Sequence, residues 1–389
     1  MWKICGQIGI ECGRLQLSCG EPVDMIINQC NNYKIVSGDA AGLSEAAQRL
    51  RDGGLAAFPT ETVYGLGASA LEPSAVEKVF ALKGRPFADP LIVHVLNAEM
   101  ALSLCLLPPE WKESFQVLTR AFWPGPLTLI VPASPIVPKI VIGGGETVGI
   151  RCPAHPIALK IIELSKLPLA APSANQFGHV SPTTAQHVAK DLGRDGLLIV
   201  DGGSCSVGIE STVLKIISEK EFLILRRGAV SAAAVVDAFE KCGLSVEVSV
   251  RNRFVRKDGP LDSPGELLIH YSPTLPAYLV RKDDFPKDVG EQIVLRKCGL
   301  IDLGKRFFEF SGQCGKYVDL SPEGHLEEAC ERVFSSLRNM EMCENIEAIL
   351  VPDLSQNDLE MAQALADRLN RAAALKRAYF FNSYVRVDV

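Results

Sequence analysis

Along most of the chain, segments with apolar residues at helical spacing alternate with short β-branched runs, the pattern of an α/β protein. "SEAAQRLRDGG" predicts a helix that stops at Gly53, and "LAAF" behind it predicts a buried strand. "SAVEKVFALKG" predicts a second helix with Gly84 as its stop. The runs "LIVHV", "LTLIV", "TVGIR", "PLAAP", "GLLIVDGG", "STVLKII" and "EFLILRRG" predict strands, with helices over "HPIALKIIEL" and "TTAQHVAKDLG" between some of them. Several strands follow one another without a helix, so a mixed sheet is expected.

After the helical pattern "SAAAVVDAFEKCG" the texture changes. "RNRFVRKDGPLDSPGELLIHYSPTLP" combines charge, proline and glycine with little periodicity and reads as a linker. Beyond it, "AYLV", "QIVLR", "KYVDL" and "AILVPDL" alternate with the amphipathic stretches "GHLEEACERVFSSLRNM" and "DLEMAQALADRLNRAAALK", which predicts a smaller parallel α/β domain. The expected plan is a poorly ordered extension over 1–34, a first domain over 35–242, a linker over 243–276 and a second domain over 277–389, with Met25 as an alternative start. No repeat or low-complexity tract interrupts it.

Composition agrees with two domains, since 389 residues exceed the roughly 100–200 of a single one. With 47% hydrophobic and 22% charged residues the chain can bury sizeable cores. The net charge of −6 provides no chain-wide positive field for a nucleic-acid backbone, so an anion must be met by a local patch or a small site. The 12 cysteines include no CxxC pair, which excludes a zinc ribbon and a CxxC redox centre and suggests reduced thiols. No apolar run reaches the 18 or so residues of a membrane helix, and the N-terminus lacks the basic start and apolar core of a signal peptide. The expectation is a cytoplasmic protein without a membrane contact.

Candidate chemistry sits where apolar runs give way to small polar residues, the strand ends at which α/β sheets collect ligands. "FPTETVYGLG" places Thr60, Glu61 and Thr62 beside Gly65 and Gly67; it suits one wall of a polar pocket and equally a hydroxyl-rich turn. In "LKGRPFADPLIVH", Lys83 and Arg85 complement a helix C-terminus, while Pro86 and Pro90 stiffen the loop enough to hold two cations for phosphates. His94, among isoleucine and valine, is equally a core histidine. "AAPSANQFGHVSPTT" offers Ser173, Asn175 and Ser181 as uncharged donors and acceptors; no GxSxG surrounds Ser173, which argues against a serine nucleophile. "VDGGSCSVGIESTV" has a glycine-rich loop ahead of Ser211 and Thr212, but neither a Walker A loop nor GxGxxG after a strand is present. Arg151 and Arg226 each end a strand, where a charge needs an anion or a salt bridge. "FWPGPLTLIV" reads as structural, with Trp123 fixing a corner of the sheet.

Taken in order, "FPTETVYGLG", "KGRP" with "PLIVH", "FWPGPLT", "VGIRCPAHP", "APSAN", "SPT", "DGG" and "GIESTV" resemble the Sua5/YrdC/YciO family, in its two-domain Sua5 form. The resemblance is strong from Ile35 to Arg226 and weaker to about Ala374. It implies a twisted mixed-sheet YrdC-like domain with a positively lined ligand cleft, a linker folding over that cleft, and a smaller Rossmann-like parallel α/β domain. It implies condensation of L-threonine, bicarbonate and ATP to threonylcarbamoyl-AMP and pyrophosphate, with Mg²⁺ accompanying ATP, in support of the t6A modification of tRNA. A weak or transient contact with tRNA or with the transferase that uses the product would follow. By the same matching, Lys83 and Arg85 are the catalytic cations; Asp89, Thr147, Asn175, Ser181, Arg226 and His270 join them around ATP; and Thr62, His94, Arg151, Ser173 and Ser211 surround threonine. No protein metal ligand is implied.

Three positions depart from the family pattern. Asp89 stands where Asn is common, Arg227 replaces a usual proline, and "SPGELLIHY" has Leu267 and Ile269 where Lys and Arg are common. Closure over ATP is then expected to rest on His270 and Tyr271, or on the basic run Arg251, Arg253, Arg256 and Lys257. The rival reading is an RNA-binding or ribosome-associated module, supported by "RNRFVRK" and the tail "RAAALKRAYFFNSYVRV" and opposed by the acidic net charge. The carbamoyl-transferring hydrogenase-maturation relatives carry zinc-binding cysteine pairs that this chain lacks.

Overall fold

The computed structural model describes residues 32–251, 271–281 and 290–387. The predicted N-terminal extension up to residue 31 and most of the linker, including His270, Leu267, Ile269, Arg253, Arg256 and Lys257, lie outside the described residues.

The expected mixed sheet is present as 11 strands, running in space Tyr33–Ser37, Leu197–Asp201, Ala56–Phe58, Gly65–Ser69, Leu169–Ala170, Ile92–His94, Thr147–Arg151, Leu127–Pro132, Thr212–Ile216, Glu221–Arg226 and Glu247–Val250. Connection length sets direction. Ala56–Phe58 and Gly65–Ser69 are joined by a tight turn and pair antiparallel, whereas Ile92–His94 and Thr147–Arg151 are far apart in sequence and pair parallel. The last strand, Glu247–Val250, is a difference from the sequence reading. It pairs parallel with Glu221–Arg226 inside the stretch read as linker, after the crossover helix Ala232–Glu240. Its alternating half-burial is too short a pattern to stand out beside the charged residues that follow.

Two helix boundaries follow local chemistry. The Asp39 carboxylate accepts from the backbone N–H groups of Ala41 and Gly42 at the start of helix Ala40–Arg51. Helix Pro73–Lys83 opens on a proline and ends at Gly84 in the left-handed conformation, φ 65°, as its sequence predicts. That turn delivers Lys83 and Arg85 on either side of the glycine.

The second sheet has seven strands: Gln292–Val294, Tyr384–Val387, Arg377–Phe381, Ala277–Val280, Ala348–Pro352, Cys298–Asp302 and Lys316–Asp319. Its centre is parallel, as the alternation with helices requires; an antiparallel hairpin, Arg377–Phe381 with Tyr384–Val387, follows on one side, and Gln292–Val294 pairs antiparallel with it as the edge strand. This hairpin is the segment counted above as a basic tail; Ala378, Tyr379, Phe380 and Val385 are buried in it, while Phe381 and Tyr384 are half-buried and stack on each other. Helices Leu326–Glu341 and Glu360–Ala372 face the first domain. One apolar cluster joins Val63, Val180 and Ile209 of the first domain to Phe334 and Leu365 of the second, with Tyr271 of the linker between them. Tyr271, expected in a closing linker, is fully buried there with its ring 5.3 Å from that of Phe334. No described helix is long and apolar enough to cross a membrane.

Candidate active site

The polar strand ends converge on one hollow enclosing about 530 Å³ with its mouth. Thr62, Arg85, His94, Arg151, Ser173, Ser211 and Arg226 line it, together with Glu210. Three guanidinium groups reach its lining, two of them held by the carboxylates of Glu61 and Asp89, and their remaining N–H donors suit an anion, with hydroxyls for its polar ends.

The turn after strand Ala56–Phe58 explains both readings of "FPTETVYGLG". Thr60 stitches the turn: its hydroxyl donates to the Val63 carbonyl at 2.7 Å and accepts from the Thr62 and Val63 amides. Thr62 is thereby turned into the hollow, where its hydroxyl meets the Arg151 Nη1 at 2.9 Å. Arg151 is locked further by Glu61, whose Oε1 lies 2.5 Å from Nη2 while its Oε2 accepts from the Ala154 amide. The pair is buried, with side chains 4% and 9% exposed. Glu61 as the carboxylate that orients Arg151 was not among the expected site residues, although it sits in the quoted motif. An acid between two threonines behind a buried strand needs a cation, and that was the available signal.

His94 lines the same side, buried, and its Nδ1 makes no hydrogen bond among the described residues. Burial, and then the neighbouring Arg151 charge, push its pKa down to about 3, so the ring is neutral at ordinary pH.

On the other side, Arg226 donates to the Ser211 carbonyl and hydroxyl, both at 3.1 Å, and the same hydroxyl meets Thr128 at 2.8 Å. Thr128, in the segment read as structural, thus orients a wall residue. Burial lowers the Arg226 pKa, against the opposing influence of Tyr271 and Glu210. Arg85 is fixed by its own loop: it donates to the carbonyls of Asp89 and Pro90 and pairs with the Asp89 carboxylate at 2.9 Å. The unusual Asp89 therefore meets a cation four residues away instead of pointing an unscreened charge at a ligand.

Five expected site residues are described but do not line the hollow: Asp89, which pairs with Arg85 behind it, and four others. Lys83, only 1% exposed, turns its ammonium to the Ser173 and Asn175 carbonyls, each at 2.6 Å. It ties down the loop that presents Ser173. Burial, with the Arg85 charge behind it, drives its pKa well below the usual lysine value. Asn175 is held within its own loop, donating to the Gln176 and His179 carbonyls. The Ser181 hydroxyl donates to Glu210 at 2.5 Å, one layer behind the wall. Thr147 begins the strand that Arg151 ends, roughly 13 Å away at strand rise. No hydrogen bond joins Ser173 to a histidine among the described residues, so the site contains no serine–base pair.

Known proteins resemble the chain over both domains. The family model described as "Telomere recombination" matches residues 48–228, and that described as "Threonylcarbamoyl-AMP synthase, C-terminal domain" matches 232–374. The chain is 36% identical over 338 residues to a threonylcarbamoyl-AMP synthase of Pyrococcus abyssi, covering 85% of this chain and 94% of that one. It is 34% identical over 372 residues to a protein of the same description from Schizosaccharomyces pombe, covering 86% and 89%. In three dimensions it resembles P. abyssi Sua5 complexed with L-threonine, at TM-score 0.73 and 33% identity, over 88% of this chain and 97% of that one.

Proposed function

The chain belongs to the Sua5/YrdC/YciO family in its two-domain Sua5 form, and from that premise we propose that it condenses L-threonine, bicarbonate and ATP into threonylcarbamoyl-AMP with release of pyrophosphate. The observation that carries the reading is the meeting of Arg85, Arg151 and Arg226 with Thr62, Ser173 and Ser211 in one hollow. Threonine's amine and bicarbonate form a carbamate with loss of one water molecule, and a carbamate oxygen attacks the α-phosphorus as pyrophosphate leaves. Such a transfer needs positioning and charge stabilisation more than a protein nucleophile.

Arg151, already oriented by Glu61, presents its remaining edge to the threonine carboxylate, with Thr62 and Ser211 beside it. The buried, neutral His94 has an unpartnered Nδ1 suited to a hydroxyl or amine that displaces water. Arg85 and Arg226 face the phosphates, with Ser181, Asp89 and Asn175 holding that wall from behind. Lys83 acts through the Ser173–Asn175 loop in the state described.

Among the described residues no group of three or more His, Cys, Asp and Glu could hold a metal ion, and Glu61, Asp89 and Glu210 each face an arginine. Mg²⁺ is accordingly proposed to arrive on the phosphates of ATP, neutralising their oxygens when bound. The product would be passed, directly or through a transient contact, to a transferase acting on tRNA in the cytoplasm.

The assay supplies ATP, bicarbonate and threonine and follows pyrophosphate. Release that depends on threonine is expected; release at the same rate without it would overturn the reading.

A further inference from the structure

Behind the hollow, two domains meet through a buried charge. Glu210 lines the hollow and is 6% exposed; its Oε1 takes the Ser181 hydroxyl, and its Oε2 lies 3.2 Å from the Nε of Arg368 in the second domain. Arg368 is wholly buried, and its Nη1 donates to the Arg227 carbonyl at 2.6 Å, next to Arg226. Its guanidinium carbon is 5.7 Å from the centre of the Tyr271 ring. The approach of the domains is close: a Cβ on Gly208, φ 76°, would stand 2.3 Å from the Glu331 Cα and 2.5 Å from the Cys330 carbonyl of helix Leu326–Glu341. A side chain there would push the second domain away from the loop that carries Glu210.

We propose that Arg368 is a positioning residue for ATP: it neutralises Glu210 and thereby sets the Ser181–Arg226 wall from across the domain boundary. The proposal rests on the function argued above. A carboxylate facing the phosphates without its cation would oppose their binding and drag Ser181 out of place, because a buried charge deprived of its partner recruits whatever donor is near. Burial disfavours the Arg368 charge, but Tyr271, Glu210 and Asp367 outweigh it and hold the group protonated. The arginine therefore does more than join two surfaces: its loss would change the charge that ATP meets.

This distinguishes it from simple interdomain adhesion, and kinetics on the full chain can read the difference. In Arg368→Met, KM for ATP is expected to rise about tenfold or more, with KM for threonine within about twofold of wild type. Adding Glu210→Gln removes the orphaned charge and leaves an acceptor for Ser181, so the double variant should return KM for ATP to within about threefold of wild type. An unchanged KM for ATP in folded Arg368→Met overturns the proposal, as does a double variant no better than the single one. If Arg368→Met does not fold, Arg368→Lys keeps the charge with a shorter reach; it should raise KM for ATP at least threefold and spare that for threonine, and wild-type values there would equally reject the role. Absence of threonine-dependent pyrophosphate release from the wild-type chain would instead reject the underlying function.

Discussion

Beside the Arg85–Asp89 pair, which is local to one loop, two buried arginine–carboxylate pairs bound the hollow, Arg151–Glu61 and Arg368–Glu210, and they differ in where their members originate. The first is assembled wholly within one domain, between a turn and the end of strand Thr147–Arg151. The second bridges 158 residues and exists only when the two domains dock. The same chemistry therefore has different dependencies. The side assigned to threonine is completed by the first domain's own fold, whereas the side assigned to ATP borrows a cation from the second.

The largest effect is expected on the self-contained side. Arg151→Met leaves Glu61 buried without its cation, which should cost about 3–5 kcal/mol of stability in urea denaturation and abolish measurable threonine saturation. Glu61→Gln in that background should recover most of the stability and none of the threonine binding. Stability unaffected by Arg151→Met would show that the pair does not organise this wall. Lys83→Ala comes next: it removes two hydrogen bonds from a charged donor, each contributing about 1.5–3 kcal/mol, and the loosened Ser173 loop should lower turnover while the chain remains folded by circular dichroism. A wild-type rate would remove Lys83 from the machinery.

A smaller loss is expected for Ser211→Ala, whose hydroxyl contacts both Arg226 and Thr128. Hydrogen bonds to charged groups contribute about 1.5–3 kcal/mol, so kcat/KM should drop roughly ten- to a hundredfold. Its partner experiment, Ser181→Ala, should move KM for ATP alone; an equal shift in both substrates would dissolve the division between the two sides.

The smallest effect is a pH dependence at the domain boundary. His179 stands between Asp191 at 2.7 Å and Glu341 of the second domain at 3.0 Å, with Arg338 paired to the same aspartate. Burial lowers its pKa, but hydrogen bonds to Asp191 and Glu341 outweigh this and raise it above 6.5. A histidine raised in the folded state contributes stability that is complete below its unfolded pKa and is lost as pH rises through the folded one. The thermal midpoint should therefore decline as pH climbs past 6.5 and through the raised value, and His179→Asn should flatten the decline. An identical slope in the variant would exclude His179 as its source.

What the sequence makes legible here is local. The Gly84 stop, the Thr60 turn and the hydroxyls at strand ends each follow from neighbours within a few residues, and these place Thr62, Arg85, Ser173 and Ser211 at one hollow once strands are adjacent. The inward turn of Lys83 is not legible, because spacing alone does not separate a cation facing phosphate from one that ties down two carbonyls. Nor is the Glu210–Arg368 pair, whose members share no periodicity and become neighbours only through domain docking. The hairpin Arg377–Phe381 with Tyr384–Val387 shows the converse: Arg377 and Arg386 obscure strands in which Ala378, Phe380 and Val385 are buried.

The most direct measurement is a crystal soaked with threonine and a non-hydrolysable ATP analogue. The account predicts both molecules in the hollow, the amino acid's carboxylate against Arg151 and its remaining polar groups near Thr62, His94 and Ser211, with the phosphates toward Arg85 and Arg226. Either ligand bound elsewhere, with Arg151 and Arg226 untouched at full occupancy, would contradict it.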